Sequence, residues 1–169
     1  MQNKNQYETQ SHGFDPIYRE DSRILILGSF PSVKSREEQF FYGHPQNRFW
    51  KVLSGLLKVT LPQTIEEKRS MLLSHHIALW DVIAQCDIIG SSDSSIKNVI
   101  PNPIEDMVHK TQINRIYVNG KTAAKLYKKY VEEKTGIEAV VLPSTSPANA
   151  AYQMDRLIDS WQVIMENDL

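Results

Sequence analysis

Four short apolar runs constrain this chain more than any other feature. "RILILG" from Arg23, "IALWDVIA" from Ile77, "RIYVNG" from Arg115 and "EAVVLPS" from Glu138 are nearly continuous in apolar residues. Each is the length of a strand, and a strand apolar on both faces must be covered on both. Segments with helical spacing lie between them. "PQNRFWKVLSGLLK" repeats Phe49, Val52, Leu53, Leu56 and Leu57 at helical intervals, and "TIEE" opens another helix with the capping-box pair Thr64 and Glu67. "PNPIEDMVHK", with Pro103 near its start, and "KTAAKLYKKYVEEK" give two more. A last helix, starting near Pro147, sets Met154, Leu157, Ile158, Trp161 and Ile164 on one side. The alternation predicts an α/β fold: a single-domain, three-layer α/β/α sandwich around a central four-stranded, mostly parallel sheet.

At 169 residues the chain is one domain with one sizeable core. Residues 1–14 are polar and expected to be a flexible N-terminal segment, leaving 15–169 as the folded domain. No apolar run is long enough to span a bilayer, and the N-terminus has no hydrophobic signal core, so the expectation is a cytoplasmic, membrane-free protein. The single cysteine, Cys86, excludes an internal disulfide and any all-cysteine cluster or zinc site. The five histidines show no ligand spacing, so neither metal nor cofactor is expected. A net charge of −1 argues against binding nucleic acid by bulk charge, though it says nothing about one local face.

In a parallel sheet, ligands bind beyond the carboxyl ends of the strands. The unusual residues of this chain collect there: "GSFPS" after the first strand, "WDVIAQC" at the second, "NGK" after the third and "LPSTSPAN" after the fourth. In "GSFPS", Gly28 permits a tight turn, and Ser29 and Ser32 can either bond locally or donate to an anion. Asn119 places an amide, both donor and acceptor, at a strand end, where a local turn role is the plainer reading. The "GKT" that follows is not a phosphate loop, because a P-loop needs glycine where this chain has Arg115. Ser146 can cap the last helix with Pro147 behind it, yet capping does not require Ser144 and Thr145 as well. Lys121, Lys125, Lys128 and Lys129 read as a solvated helix face. One loop, "FFYGHPQNRFWK" from Phe40, carries five aromatic rings around a histidine and two amides. Phe49 and Trp50, on the helix, are expected in the core.

Taken in order, these motifs resemble the uracil-DNA glycosylase superfamily over nearly the whole chain, from "GFDPI" at Gly13 to "SPANA" at Ala150. "LILGSFPS" occupies the place of its first motif, and "HPQNRFWKV" is similar to the segment that follows in mismatch-specific uracil glycosylases. "IALWDVIAQC", "GSSDSSI", "VIPNPI", "YVNGKTA" and "LPSTSPANA" most resemble the branch that removes hypoxanthine. Many relatives carry aspartate or asparagine third in the first motif and histidine at the start of the last; here those places hold Phe30 and Leu142.

The resemblance implies a monofunctional glycosylase that flips a deaminated base out of DNA and hydrolyses its N-glycosidic bond, with hypoxanthine first and uracil or xanthine as further substrates. Its partner would be double-stranded DNA, with single strands as a second form, and the resemblance implies a monomer. Asn47 is the first candidate for the catalytic amide and Asn119 the second. Tyr42, with Phe30 or Phe41, would stack on the base, since a flipped base needs a replacement for its lost stacking. Asp81 would accept from a base N–H, or serve only as a turn or cap residue. Ser29, Ser32, Ser144, Thr145 and Ser146 would contact the flanking phosphates and the minor groove. The competing readings are a uracil or G:U mismatch glycosylase, and a damaged-DNA-binding module without catalysis.

Overall fold

The computed structural model describes residues 6–166. The chain begins with β1 (Glu8–Ser11) and crosses to β2 (Ile24–Gly28). Three helices follow: α1 (Val33–Glu38), α2 (Phe49–Leu57) and α3 (Ile65–Ser74). Then come β3 (Ile77–Asp81), β4 (Ile83–Ile88), a 3₁₀ turn at Asp93–Ser95 and β5 (Lys97–Pro101). The remainder runs α4 (Ile104–Lys110), β6 (Arg115–Asn119), α5 (Lys121–Tyr130), α6 (Glu132–Thr135), β7 (Val140–Leu142) and α7 (Met154–Trp161).

The central sheet has the order β3-β2-β6-β7 and is parallel throughout. Every residue of β2 is buried, and the strand's period of two splits them between two cores. Ile24 and Ile26 face a core shared with Phe49, Leu53 and Trp161 of α2 and α7. Leu25 and Leu27 face a second core, with Ile104, Met107, Ala123 and Tyr127 of α4 and α5. The sheet is thus covered on both faces, as the apolar runs require.

Three local expectations need correction. "IALWDVIA" is two strands. After Asp81 the chain leaves the parallel sheet, and β4 enters a second, antiparallel sheet of order β1-β4-β5. Buried Asn102 holds this corner, its Nδ2 donating to the carbonyls of Asp81 (2.9 Å) and Ile83 (3.2 Å). The N-terminal segment expected to be loose supplies the edge strand β1, registered with Gln85–Ile88; residues 1–5 lie outside the described residues. The last helix begins at Met154, not near Pro147. The intervening turns are held by Arg48, whose guanidinium donates to the carbonyls of Ser146 (2.8 Å), Asn149 (3.2 Å) and Tyr152, while its backbone N–H donates to that of Thr145 (3.1 Å). Among the described residues, no helix is long and apolar enough to cross a membrane.

Candidate active site

The carboxyl ends of β2, β3 and β6, with the loop after β7, enclose a pocket of about 130 Å³. Its walls include Gly28, Phe30, Tyr42, Asn47, Asp81 and Asn119. That volume lies below the ~300–1,000 Å³ of drug-sized sites, so it suits one flat ring system rather than a dinucleotide. Among the described residues no cluster of histidine, cysteine or carboxylate side chains could hold a metal ion.

One wall is a chain of neutral hydrogen bonds whose direction is fixed from the backbone upward. The Thr145 N–H can only donate, so the Asn119 atom facing it at 3.1 Å is Oδ1. Nδ2 of Asn119 then donates to the Thr145 hydroxyl (3.0 Å) and to the Tyr42 hydroxyl (3.2 Å). Having accepted from Asn119, the Thr145 hydroxyl donates to Oδ1 of Asn47 over 2.9 Å. That same Oδ1 accepts from the backbone N–H of Phe49 (3.0 Å), at the start of α2. Both lone pairs of the Asn47 carbonyl are committed, while its Nδ2 has no partner among the described residues. Asn47 therefore brings a donor to the pocket, and Asn119 is spent on positioning. The placement also reassigns Thr145. It is fully buried and bonded to both asparagines, so its hydroxyl cannot reach a phosphate.

The aromatic floor divides as expected in part. Phe49 and Trp50 are buried in the core. Half-buried Tyr42 lies flat on Phe49, ring centroids 4.1 Å apart at 21°, so one face of its ring is already taken. Its φ of 51° is a left-handed conformation, at a cost of about 1–2 kcal/mol for a non-glycine residue. Neighbouring bonds hold it there: Gly43 N–H donates to Ser35 Oγ (2.9 Å) and Trp50 Nε1–H to the Phe41 carbonyl (3.2 Å). Burial, and then the charge of Asp81, pushes the Tyr42 phenol up, so it remains a neutral hydroxyl. Phe30 is buried beside the pocket with the Arg36 guanidinium 5.4 Å from its ring centre.

A second wall is charged. Asp81, only 3% exposed, approaches His12 with Oδ2 2.7 Å from Nε2. Its other oxygen, Oδ1, lies beside Gly28, where a Cβ would sit 2.4 Å from it and 2.9 Å from the Tyr42 hydroxyl. Glycine there keeps the floor open. At the rim, Asp93 accepts from the Ser29 hydroxyl (3.3 Å). Burial of its carboxyl pushes the pKa up, the Ser29 bond partly offsets this, and the charge of Asp81 adds to it. Sequence reasoning does not single out His12, Arg48 or Asp93: Arg48 and Asp93 lie within the motifs "HPQNRFWKV" and "GSSDSSI", but each of the three gains its role only through contacts far along the chain.

Ser32 caps α1 by accepting from Ser35 N–H (3.2 Å), and Ser144 and Ser146 accept from Ser146 N–H (3.1 Å) and Ala148 N–H (3.2 Å). Their local roles are therefore real. Ser29 and Ser32 line the pocket, while Ser144 and Ser146 line both it and an adjoining groove of about 590 Å³ that runs past Lys121 and Asn149.

The profile of the Uracil DNA glycosylase superfamily matches residues 16–166. A hypoxanthine DNA glycosylase of Methanosarcina acetivorans is 34% identical over 159 residues, covering 92% of this chain and 98% of the relative. One from Methanosarcina barkeri is 31% identical over 144 residues, 83% and 89% of the two chains. The solution NMR structure of a candidate uracil DNA glycosylase from M. acetivorans superposes with a TM-score of 0.79 at 31% identity, over 93% of this chain and 96% of that one. A parallel sheet with its pocket at the strand ends, and a match that takes in every strand of that sheet, lead to one assignment: the chain belongs to the uracil DNA glycosylase superfamily.

Proposed function

We propose that the protein is a base-excision DNA glycosylase that removes hypoxanthine and leaves an abasic site. The observation that carries this reading is that one ring-sized pocket is lined both by an amide donor, on Asn47, and by a carboxylate acceptor, on Asp81. A deaminated base presents a carbonyl beside a ring N–H, which needs one donor and one acceptor. The base reaches such a pocket only if flipped from the helix, at a cost of a few kcal/mol that is offset by stacking and edge contacts. The free face of Tyr42 supplies the stacking surface.

In the reaction the C1′–N bond breaks and its electron pair stays with the base. A water oxygen then bonds to C1′, and one water proton is released to the departing base or to solvent. Negative charge grows on the base and positive charge on the sugar. The Asn47 Nδ2 donor meets the first, in the manner of an oxyanion-hole amide. The rim carboxylate of Asp93 faces the second. The hydroxyls of Ser144 and Ser146, which accept from backbone N–H groups, keep their protons as donors for flanking phosphates. Those of Ser29 and Ser32 join them by turning away from Asp93 and Ser35, while the groove beside Lys121 continues the path of the strand. The protein acts as a monomer on double-stranded DNA in the cytoplasm, with residues from about 15 onward forming the glycosylase domain and β1 bringing His12 against Asp81.

The test is incubation with labelled duplexes bearing one hypoxanthine, uracil, xanthine or mismatched thymine, followed by alkaline cleavage at abasic sites. Cleavage is expected at hypoxanthine above uracil. Cleavage at uracil alone would keep the activity and overturn the substrate. Tight binding to damaged duplex with no cleavage on any substrate would overturn the enzyme.

A further inference from the structure

We propose that His12, delivered by the N-terminal edge strand, is the counter-ion that keeps Asp81 a carboxylate, and that this pair makes the pocket reject adenine. The inference rests on the glycosylase reading and adds to it a residue that sets specificity.

The hydrogen bonds on the two nitrogens of His12 decide where the proton is. Nδ1 lies 3.0 Å from the carbonyl oxygen of Phe14, which can only accept, so Nδ1 carries a hydrogen. A neutral imidazole would then leave Nε2 bare. Yet Nε2 is 2.7 Å from Asp81 Oδ2, and two bare lone pairs do not approach so closely. One additional proton must sit between them, and because an imidazole is intrinsically a stronger base than a carboxylate it rests on Nε2, giving an imidazolium and a carboxylate at a distance that matches a charge-assisted bond. The pair is enclosed: His12 is 5% exposed, with the rings of Phe14, Phe41 and Phe30 centred 4.3, 5.8 and 6.4 Å from its own. Other ionisable or charged groups about the pair are Tyr42 and Asp93 at the pocket and Arg36 over Phe30.

The chain is built to bring this histidine in. β1 pairs with β4, and the His12 N–H extends the ladder by donating to the Ala84 carbonyl (2.8 Å). Gly13 follows at φ +83°, a turn that folds the Phe14 carbonyl back onto Nδ1. Oδ2 of Asp81 is thereby tied, and Oδ1, beside Gly28 on the pocket floor, is the atom left for the base.

An ionised Oδ1 can only accept. Hypoxanthine, uracil and xanthine offer it a ring N–H next to a carbonyl. Adenine differs from hypoxanthine at this edge: its N1 is a bare lone pair, which the carboxylate repels. Sites that hydrogen-bond a substrate N–H reject the analogue lacking it by ~10⁴–10⁵. His12 is thus a positioning residue, and its effect is on which base is accepted.

The experiment compares excision of hypoxanthine, 1-methylhypoxanthine and adenine from matched duplexes by the full chain, His12→Gln, His12→Phe and Asp81→Asn. The native protein is expected to act on hypoxanthine and to reject the other two by ~10⁴-fold. Absence of hypoxanthine excision by the native protein would refute the hypoxanthine reading on which this inference rests, and the inference with it. With that activity present, His12→Phe and Asp81→Asn should narrow the hypoxanthine-to-adenine ratio at least tenfold, and His12→Gln, which keeps a donor to Oδ2, should recover part of it. Equal loss on every base with an unchanged ratio would overturn the proposal. Should the variants fail to fold, ¹⁵N spectra of the native histidine rings decide: hydrogens on both nitrogens of His12 support the pair, and one bare nitrogen overturns it.

Discussion

The wall at the ends of β6 and β7 is built from neutral groups, Asn119, Thr145 and Asn47, each fixing the next through a hydrogen bond. The wall at the ends of β2 and β3 is built from a buried carboxylate and the imidazole that balances it. The neutral wall ends in a donor, the charged wall in an acceptor. The first tolerates no rotation of its amides, because each flip would set donor against donor; the second depends on one proton. A base between them is read by both, but the walls should fail differently. Damage to the neutral wall should slow the chemistry, and damage to the charged wall should blur the choice of base.

The sharpest way to break the comparison is within the neutral wall. Asn47→Ala should lower single-turnover excision by ~10²–10³, the usual cost of one lost donor at developing charge. Its fold should lose only about 1 kcal/mol, the cost of an N-terminal helix contact, measured by urea denaturation. Asn119→Ala should show the reverse balance. It strands the buried Thr145 N–H and should cost about 1–3 kcal/mol of stability, more than Asn47→Ala in the same assay. Equal stability losses would mean that the two amides are not divided between chemistry and support.

Arg48→Ala tests what holds the walls in register, since its guanidinium carries the turns before α7. We expect about 2–3 kcal/mol of destabilisation, with lysine a poor substitute because it lacks the planar fork of donors. A smaller effect is expected at the rim. The folded-state pKa of Asp93 is raised, so the folded protein holds this proton more tightly than the unfolded chain. Its contribution favours folding at low pH and declines as pH climbs through that raised value. Excision should increase over the same interval as the carboxylate forms, and Asp93→Asn should flatten that limb of the pH–rate profile. An unchanged limb would remove Asp93 from the chemistry.

The central sheet was legible because β2 is apolar at every position, and only burial on two faces accommodates that. Asn47, Asn119 and Asp81 were legible as polar residues beyond strand ends. Asp81 had an equal claim as a turn residue until His12 came into contact from 69 residues away. That contact depends on β1, which a polar tetrapeptide, "ETQS", does not announce. Thr145 was misplaced for a related reason: a hydroxyl in "LPSTSPAN" reads as exposed, and only the register of β7 beside β6 turns it inward. The helix expected at Pro147 was displaced because Arg48 takes the carbonyls of the turns that precede α7.

The most direct test of the account is Asn47→Asp, compared with Asn47→Ala in single-turnover excision of hypoxanthine. Aspartate keeps the oxygen that accepts from Thr145 and Phe49 and replaces only the pocket-facing donor. If Asn47 acts as a donor, the aspartate variant should be as impaired as the alanine variant. Activity near the native level in Asn47→Asp would contradict this and would mean that the residue works as an acceptor.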